Sequence, residues 1–175
     1  MSLPDSAEDP ESPPGELSHV DESGAARMVD VSEKAVTARS ATARGRVEVS
    51  SRVVELLRGE GVPKGDALAV ARVAGIMAAK RTPDLIPLCH PLAITGVNVD
   101  LEVEQPGADG GGAVIIRAEV SSTGRTGVEM EALTSVTVAA LTVVDMVKAV
   151  DKHARITDVE VVAKSGGRSG DWSKE

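Results

Sequence analysis

The chain contains no phenylalanine and no tyrosine, and Trp172 is its only large aromatic residue. Proteins that bind single-stranded nucleic acid stack bases on aromatic side chains, and those that bind duplexes present a strongly basic surface. This sequence offers neither, because its formal net charge is −8 at pH 7. We therefore expect no nucleic-acid partner.

Cysteine and long apolar segments are also scarce. Cys89 is the only cysteine, so no disulfide can form within the chain. No uninterrupted apolar run approaches the length of about 18 residues expected of a membrane span, and the N-terminus lacks the cationic and apolar regions of a signal peptide. These features predict a cytoplasmic protein without a membrane partner.

Histidine is too sparse for a familiar metal site. Cys89 and His90 are adjacent, and the only other histidines are His19 and His153, so the usual spacings of zinc ligands are absent. Cys89 is also poorly placed as a nucleophile, because neighbouring side chains in an extended loop diverge. We predict no metal and no other cofactor, with packing or substrate contact as the role of Cys89.

The negative charge is concentrated at the N-terminus. Residues 1–27 hold seven Asp or Glu residues and one Arg, a net of −6. With four prolines and few apolar side chains, residues 1–26 are predicted to be a disordered acidic tail. Residues 27–175 are then a single, nearly neutral domain in which positive charge can be concentrated locally.

Hydrophobic periodicity predicts alternating strands and helices in this domain. Strands are expected at 46–50, 97–103, 114–120 and 155–164. Helices are expected at 51–58, from a cap at Asp66 to about Arg81, and from a capping box of Thr126 and Glu129 to about Val150. The order strand, helix, strand, strand, helix, strand matches an α+β ferredoxin-like sandwich, an antiparallel sheet with helices packed on one face.

One candidate binding segment runs from residue 80 to residue 91. Three prolines enclose two cations, one carboxylate, Cys89 and His90. Because proline fixes φ and restricts the preceding residue, the loop is expected to be rigid. A rigid polar loop suits substrate binding, although a purely structural turn is the alternative.

The long helix carries Glu129, Glu131, Asp145 and Lys148 among apolar neighbours. Asp145 and Lys148 are three residues apart and can meet on one face, where they could transfer protons or form only a structural ion pair. Glu131 lies about 21 Å from Asp145 along the helix, at ~1.5 Å per residue. Either a long ligand spans both groups, or neighbouring subunits contribute different parts of each site.

Glycine and cations near the C-terminus suggest a phosphate site. The segment 164–171 contains Lys164, Arg168 and three glycines, but neither it nor residues 64–66 has the spacing of a Walker loop. Arg39, Lys64, Lys148 and Lys164 together would offer a polyphosphate several charges, including one bidentate guanidinium.

From about residue 28 to residue 172 the sequence resembles the molybdenum cofactor biosynthesis protein C family, the cyclic pyranopterin monophosphate synthases. Arg168 stands where the family often has Lys, and Trp172 where it often has Phe. Many matches in the same order make the resemblance specific. The matching stretches are residues 28–32, 64–66, 78–82, 84–91, 127–134, 145–146, 148–150 and 164–172.

The resemblance implies that residues 27–175 are a catalytic domain. The implied enzyme is a lyase that converts 3′,8-cyclo-7,8-dihydro-GTP to cyclic pyranopterin monophosphate and pyrophosphate. It also implies a homohexamer, a trimer of dimers, with active sites between subunits. A nucleotide-sensing regulator of the same fold is the alternative, because it would need a cationic pocket but no acid/base pair. By the same resemblance Asp145, Lys148 and Lys64 are catalytic, while Arg39, Lys164, Leu88, Cys89, His90, Met130 and Glu131 bind substrate.

Overall fold

Alternating apolar and polar residues build a five-stranded antiparallel sheet with the order β2-β3-β1-β4-β5. The structure is a computed structural model that describes residues 18–21, 23–59, 66–105, 111–168 and 170–174. The strands are β1 (Thr37–Ser50), β2 (Ile94–Glu104), β3 (Gly111–Gly124), β4 (Arg155–Ser165) and β5 (Trp172–Ser173). The helices are α1 (Ser51–Arg58), α2 (Ala67–Ala79), α3 (Thr82–Leu85) and α4 (Glu129–Val147).

This chain order and strand order confirm the ferredoxin-like sandwich. The central strand β1 pairs with β3 along its whole length and with β4 on its other side. Ala41, Ala43, Val47 and Val49 alternate along β1 and are buried in the core beneath the helices. The opposite face of the sheet is charged, with cross-strand ion pairs such as Arg44 with Glu160 at 2.7 Å.

The helix layer depends on small residues. The expected cap of α2 is confirmed, since the Asp66 carboxylate accepts a hydrogen bond of 3.0 Å from the Ala69 amide. At Gly75, α2 approaches α4 so closely that an added Cβ would lie 3.0 Å from the Ser135 carbonyl oxygen. Ten of the 19 residues of α4 are buried. By length and composition alone α4 could cross a membrane, but half of its apolar stretch is buried inside the fold, as in a core helix.

One local prediction for the middle of the chain was wrong. The capping box of Thr126 and Glu129 does not form, because α4 begins after Val128 without a side-chain cap. The rigid loop at 80–91 contains the short helix α3, with Pro83 in its first turn and Thr82 fully buried. The Thr82 hydroxyl donates to the Ala79 carbonyl at 3.1 Å, which ties α3 to the end of α2.

The expected disorder does not extend through residue 26. Residues 18–27 form a hairpin in which Val20 and Ala26 make an antiparallel bridge, with Glu22 outside the described residues. The Asp21 carboxylate accepts hydrogen bonds of 2.9 Å from the amides of Ser23 and Ala25. Local side-chain hydrogen bonds of this kind stabilise a turn without an apolar core. Residues 1–17 lie outside the described residues, so for them disorder stays a prediction.

Gly45 allows the sheet to contact α4. A Cβ added there would lie 2.6 Å from Cγ1 of Val136 and 3.3 Å from Cγ2 of Val159. The β-branched side chains of Val136 and Val159 have restricted rotamers and cannot easily move away from an added Cβ. Gly45→Ala should therefore lower the free energy of unfolding by about 1–3 kcal/mol through overpacking. Urea unfolding at fixed protein concentration measures this. The matched control is Gly111→Ala in β3, where a Cβ meets nothing within 4 Å. Equal midpoints for the two variants would contradict the prediction.

Candidate active site

Two adjoining cavities open at the end of the sheet where β1 begins and β3 and β4 end. The first has a volume of about 310 Å³ and is called here the cationic cavity, because Lys34, Arg39, Arg125, Lys164 and Arg168 line it. The second, of about 600 Å³, is called the Glu131 cavity. Both are of the size of small-molecule sites. They share the lining residues Lys34, Thr126, Gly127 and Glu129.

Antiparallel pairing gathers the cations of the first cavity. Lys164 is paired with Ala41 in the sheet, so its side chain lies on the helix-covered face near the start of α4. Arg39 donates from Nε to the Gly124 carbonyl at 3.0 Å and from Nη2 to the Arg125 carbonyl at 3.1 Å. The Arg39 guanidinium therefore fixes the connection between β3 and α4 while it lines the cavity.

The described residues of the glycine-rich segment after β4 form a turn that approaches Arg39. Gly166 and Gly167 have φ values of 84° and 76°, in the left-handed region that favours glycine. The Gly166 amide donates to the Asp171 carboxylate at 3.0 Å. An added Cβ at Gly167 would overlap the Arg39 guanidinium. The backbone of this turn can thus approach a ligand bound beside Arg39.

A carboxylate lies among the cations. Glu129 and Lys164 form an ion pair of 3.1 Å, and each side chain is about a third exposed. The Glu129 carboxylate therefore contacts β4 and does not cap α4. Because Glu129 lines both cavities, an anionic ligand would compete with it for Lys164.

Two further cations of the first cavity were missed from the sequence. The Arg125 guanidinium donates to the carbonyl oxygens of Ser32 and Lys34, the latter at 2.8 Å. Lys34 lines both cavities. The signal that could have found these residues is their position beside stretches that match the family, at 28–32 and 127–134.

The Glu131 cavity brings together the predicted substrate-binding residues Leu88, Cys89, His90, Met130 and Glu131. Glu131 is only 2% exposed. Burial raises the pKa of its carboxyl, and the negative charge of Glu129 adds to the effect. Burial also raises the pKa of the Cys89 thiol, with a further contribution from Glu131. A thiol held neutral is a poor nucleophile, which favours a binding role for Cys89.

Asp145 and Lys148 lie apart from both cavities. Their ion pair of 2.7 Å forms at the far end of α4, as the spacing predicts, with side chains 58% and 61% exposed. An exposed pair of this kind contributes about 0–1 kcal/mol to stability. Lys64 lies outside the described residues. Within the ranges that the structure describes, no cluster of three His, Cys, Asp or Glu residues could hold a metal ion.

The domain is a ferredoxin-like sandwich in which a cationic cavity adjoins a buried carboxyl group, and the size of both cavities is that of small-molecule sites. The chain matches the MoaC family over residues 28–167, and it belongs to that family. The resemblance seen in the sequence is confirmed. Curated relatives of this chain are named as synthases, so the chain is an enzyme.

The curated relatives match along nearly their whole length. The cyclic pyranopterin monophosphate synthase of Nocardioides sp. is 73% identical, over 92% of this chain and 97% of that protein. The Streptomyces avermitilis synthase is 69% identical over 99% of both chains. Cyclic pyranopterin monophosphate synthase 2 of Mycobacterium tuberculosis is 61% identical over 91% of this chain and 92% of that protein.

The raised pKa of Glu131 predicts how stability depends on pH. A carboxyl whose pKa is higher in the folded state stabilises the fold below its unfolded pKa, and that contribution is lost as pH rises through the folded pKa. Glu131→Gln should therefore gain stability relative to the unsubstituted chain as pH rises above the unfolded pKa of a glutamate, about 4.3. Urea unfolding at several pH values measures the difference. Glu102→Gln, at an exposed position of β2, is the control. A pH-independent difference for Glu131→Gln would contradict the prediction.

Proposed function

We propose that this chain is a cyclic pyranopterin monophosphate synthase of molybdenum cofactor biosynthesis. Its substrate is then 3′,8-cyclo-7,8-dihydro-GTP, its products are cyclic pyranopterin monophosphate and pyrophosphate, and it acts as a lyase in the cytoplasm. Family membership and the near-complete match to curated synthases support the reaction. The structural observation that supports the proposal most is that the cationic cavity adjoins the Glu131 cavity.

The two cavities suit the two halves of such a substrate. The triphosphate occupies the cationic cavity, where the guanidinium groups of Arg39 and Arg125 can bind its oxygens bidentately and Lys164 supplies a point charge. The heterocycle occupies the Glu131 cavity between Leu88, Cys89, His90, Met130 and Glu131. Binding of the triphosphate draws Lys164 away from Glu129, so part of the binding energy is used to break that ion pair.

The chemistry needs proton transfer and charge stabilisation. Protons move during ring opening and pyran closure, and Asp145 with Lys148 beside it is the proposed acid/base pair. The cations of the first cavity stabilise the departing pyrophosphate. Lys64, outside the described residues, joins this catalytic set on the family resemblance.

The position of the acid/base pair favours a site between subunits. Fourteen residues of α4 separate Glu131 from Asp145, which corresponds to about 21 Å, and Asp145 lines neither cavity. We propose that Asp145 and Lys148 of one subunit face the cavities of a neighbouring subunit in a homohexamer, a trimer of dimers. Exposed apolar side chains on the helix layer are available for such packing. They are Val70, Val73, Met77 and Leu141.

The direct test is incubation of the purified chain with 3′,8-cyclo-7,8-dihydro-GTP. Release of pyrophosphate and a fluorescent pterin after oxidation are the expected results. A nucleotide-sensing regulator would instead bind the compound and leave it unchanged. That outcome would refute the proposed enzyme.

Asp145→Asn preserves the shape of the side chain but removes its ability to transfer a proton. Turnover should fall by roughly 10² or more, while substrate affinity and oligomeric state change little. Single-turnover product formation, a binding titration and sedimentation measure the three quantities. Lys148→Met is tested alongside, and the double variant should be little slower than the worse single one if the two residues act as a unit. Asp100→Asn on β2 is the control, and turnover within a few fold for Asp145→Asn would remove Asp145 from catalysis.

Mixing two inactive variants tests the shared site. Asp145→Asn and Lys164→Met should each be nearly inactive alone, but co-assembled subunits should recover activity, because some sites then combine an intact Asp145 with an intact Lys164. Asp145→Asn mixed with Lys148→Met is the matched control and should not recover, since both changes affect the same end of α4. Activity of the first mixture no higher than the average of its components would count against a site built from two subunits.

A further inference from the structure

The N-terminal hairpin, residues 18–27, forms part of the wall of the Glu131 cavity. Ser18, His19 and Arg27 line the cavity from the hairpin, while Cys89, His90, Met130 and Glu131 line it from the domain. From the sequence alone, residues 1–26 were predicted to be a disordered acidic tail. Its position beside the buried carboxyl of Glu131 makes it a candidate for direct contact with a ligand.

The hairpin is held together by its own hydrogen bonds and buries little surface against the rest of the domain. The Arg27 amide donates to the His19 carbonyl, and the Asp21 amide donates to the Ala25 carbonyl, each at 2.9 Å. His19 Nδ1 also lies 3.3 Å from the Arg27 carbonyl oxygen. Apart from the half-buried Asp21, the described residues from 18 to 28 are exposed. A segment with internal hydrogen bonds and little buried surface can open as a unit at low free-energy cost.

The hairpin also supplies groups that the rest of the cavity has little of. The chain has no Phe or Tyr, so imidazole and guanidinium groups are the planar side chains with which this cavity can cover a heterocycle. On the domain side the cavity is lined by Asp30 and Glu129 together with the cation of Lys34, and the hairpin adds the cation of Arg27. An anionic substrate bound between Lys34 and Arg27 would attract both cations and so draw the hairpin toward the domain.

We propose that residues 18–27 are a lid that closes over the planar nitrogen heterocycle of the substrate, with His19 and Arg27 as its contacting residues. The proposal rests on the proposed function, because it deepens the same site. Closure would exclude water from the reacting ring and hold the substrate while the acid/base pair acts. Opening would let product leave.

Two truncations and three substitutions test the lid. Removal of residues 1–17 should leave kcat and KM unchanged, while removal of residues 1–26 should raise KM by about tenfold or more, because the His19 contact with the heterocycle and the hairpin that positions Arg27 are both lost. His19→Ala and Arg27→Ala should raise KM in the same direction. Gly24→Ala tests the turn, because Gly24 has a φ of 84° and a Cβ there meets nothing within 4 Å, so only the backbone is strained. Gly111→Ala is its control.

Hydrogen exchange supplies a readout that a merely structural role would not change. The amides of Ala25 and Arg27 should exchange more slowly when 3′,8-cyclo-7,8-dihydro-GTP is added to the Asp145→Asn variant, which should bind without turnover. Equal KM for the full chain, the 1–26 truncation and both alanine variants, with unchanged exchange, would overturn the lid. A lower thermal midpoint of the 1–26 truncation with unchanged KM would overturn it too. Absence of turnover in the unsubstituted chain would instead refute the proposed function.

Discussion

The close approach of α4 to the sheet and to α2 determines where both ends of α4 lie. Gly45 leaves room for Val136 on one side of the helix, and Gly75 leaves room for Ser135 on the other. The approach is partly unfavourable, because the buried Ser135 hydroxyl has no hydrogen-bond partner among the described residues, at about 1–3 kcal/mol. A core rich in alanine, valine and glycine makes this close packing possible, and the absence of Phe and Tyr is consistent with it.

The electrostatics of the site follow from the first turn of this helix. Glu129 and Glu131 stand where the helix dipole favours negative charge. The two carboxyl groups differ because Glu129 pairs with Lys164, whereas Glu131 is buried and has a raised pKa. The site thus holds one carboxylate that is paired with a cation and one carboxyl group biased toward its neutral form. A polyanionic ligand changes the surroundings of both.

The sequence predicted correctly those helix ends that are set by a residue at the end itself. The helix Ser51–Arg58 was predicted with its correct bounds, because Gly59 ends it, and the Asp66 cap was predicted from its spacing. The start of β1 was missed, since its inward-facing residues Ala41 and Ala43 give a weaker apolar signal than the valines that follow. The capping box was wrong because the N-cap of α4 is Val128, which makes Glu129 the first residue of the helix and not the third. The hairpin at residues 18–27 was missed because polar contacts of Asp21 hold its turn, and a hydrophobicity pattern does not reveal such contacts.

The β4–β5 pairing has a practical consequence. It sets Trp172 directly opposite Lys164, and Trp172 is 43% exposed. Because the chain has no tyrosine and no second tryptophan, all of its ultraviolet fluorescence comes from this indole. The chain therefore carries an intrinsic fluorescent probe next to the cationic cavity, and changes in quenching or emission wavelength can report binding at Lys164 without any label.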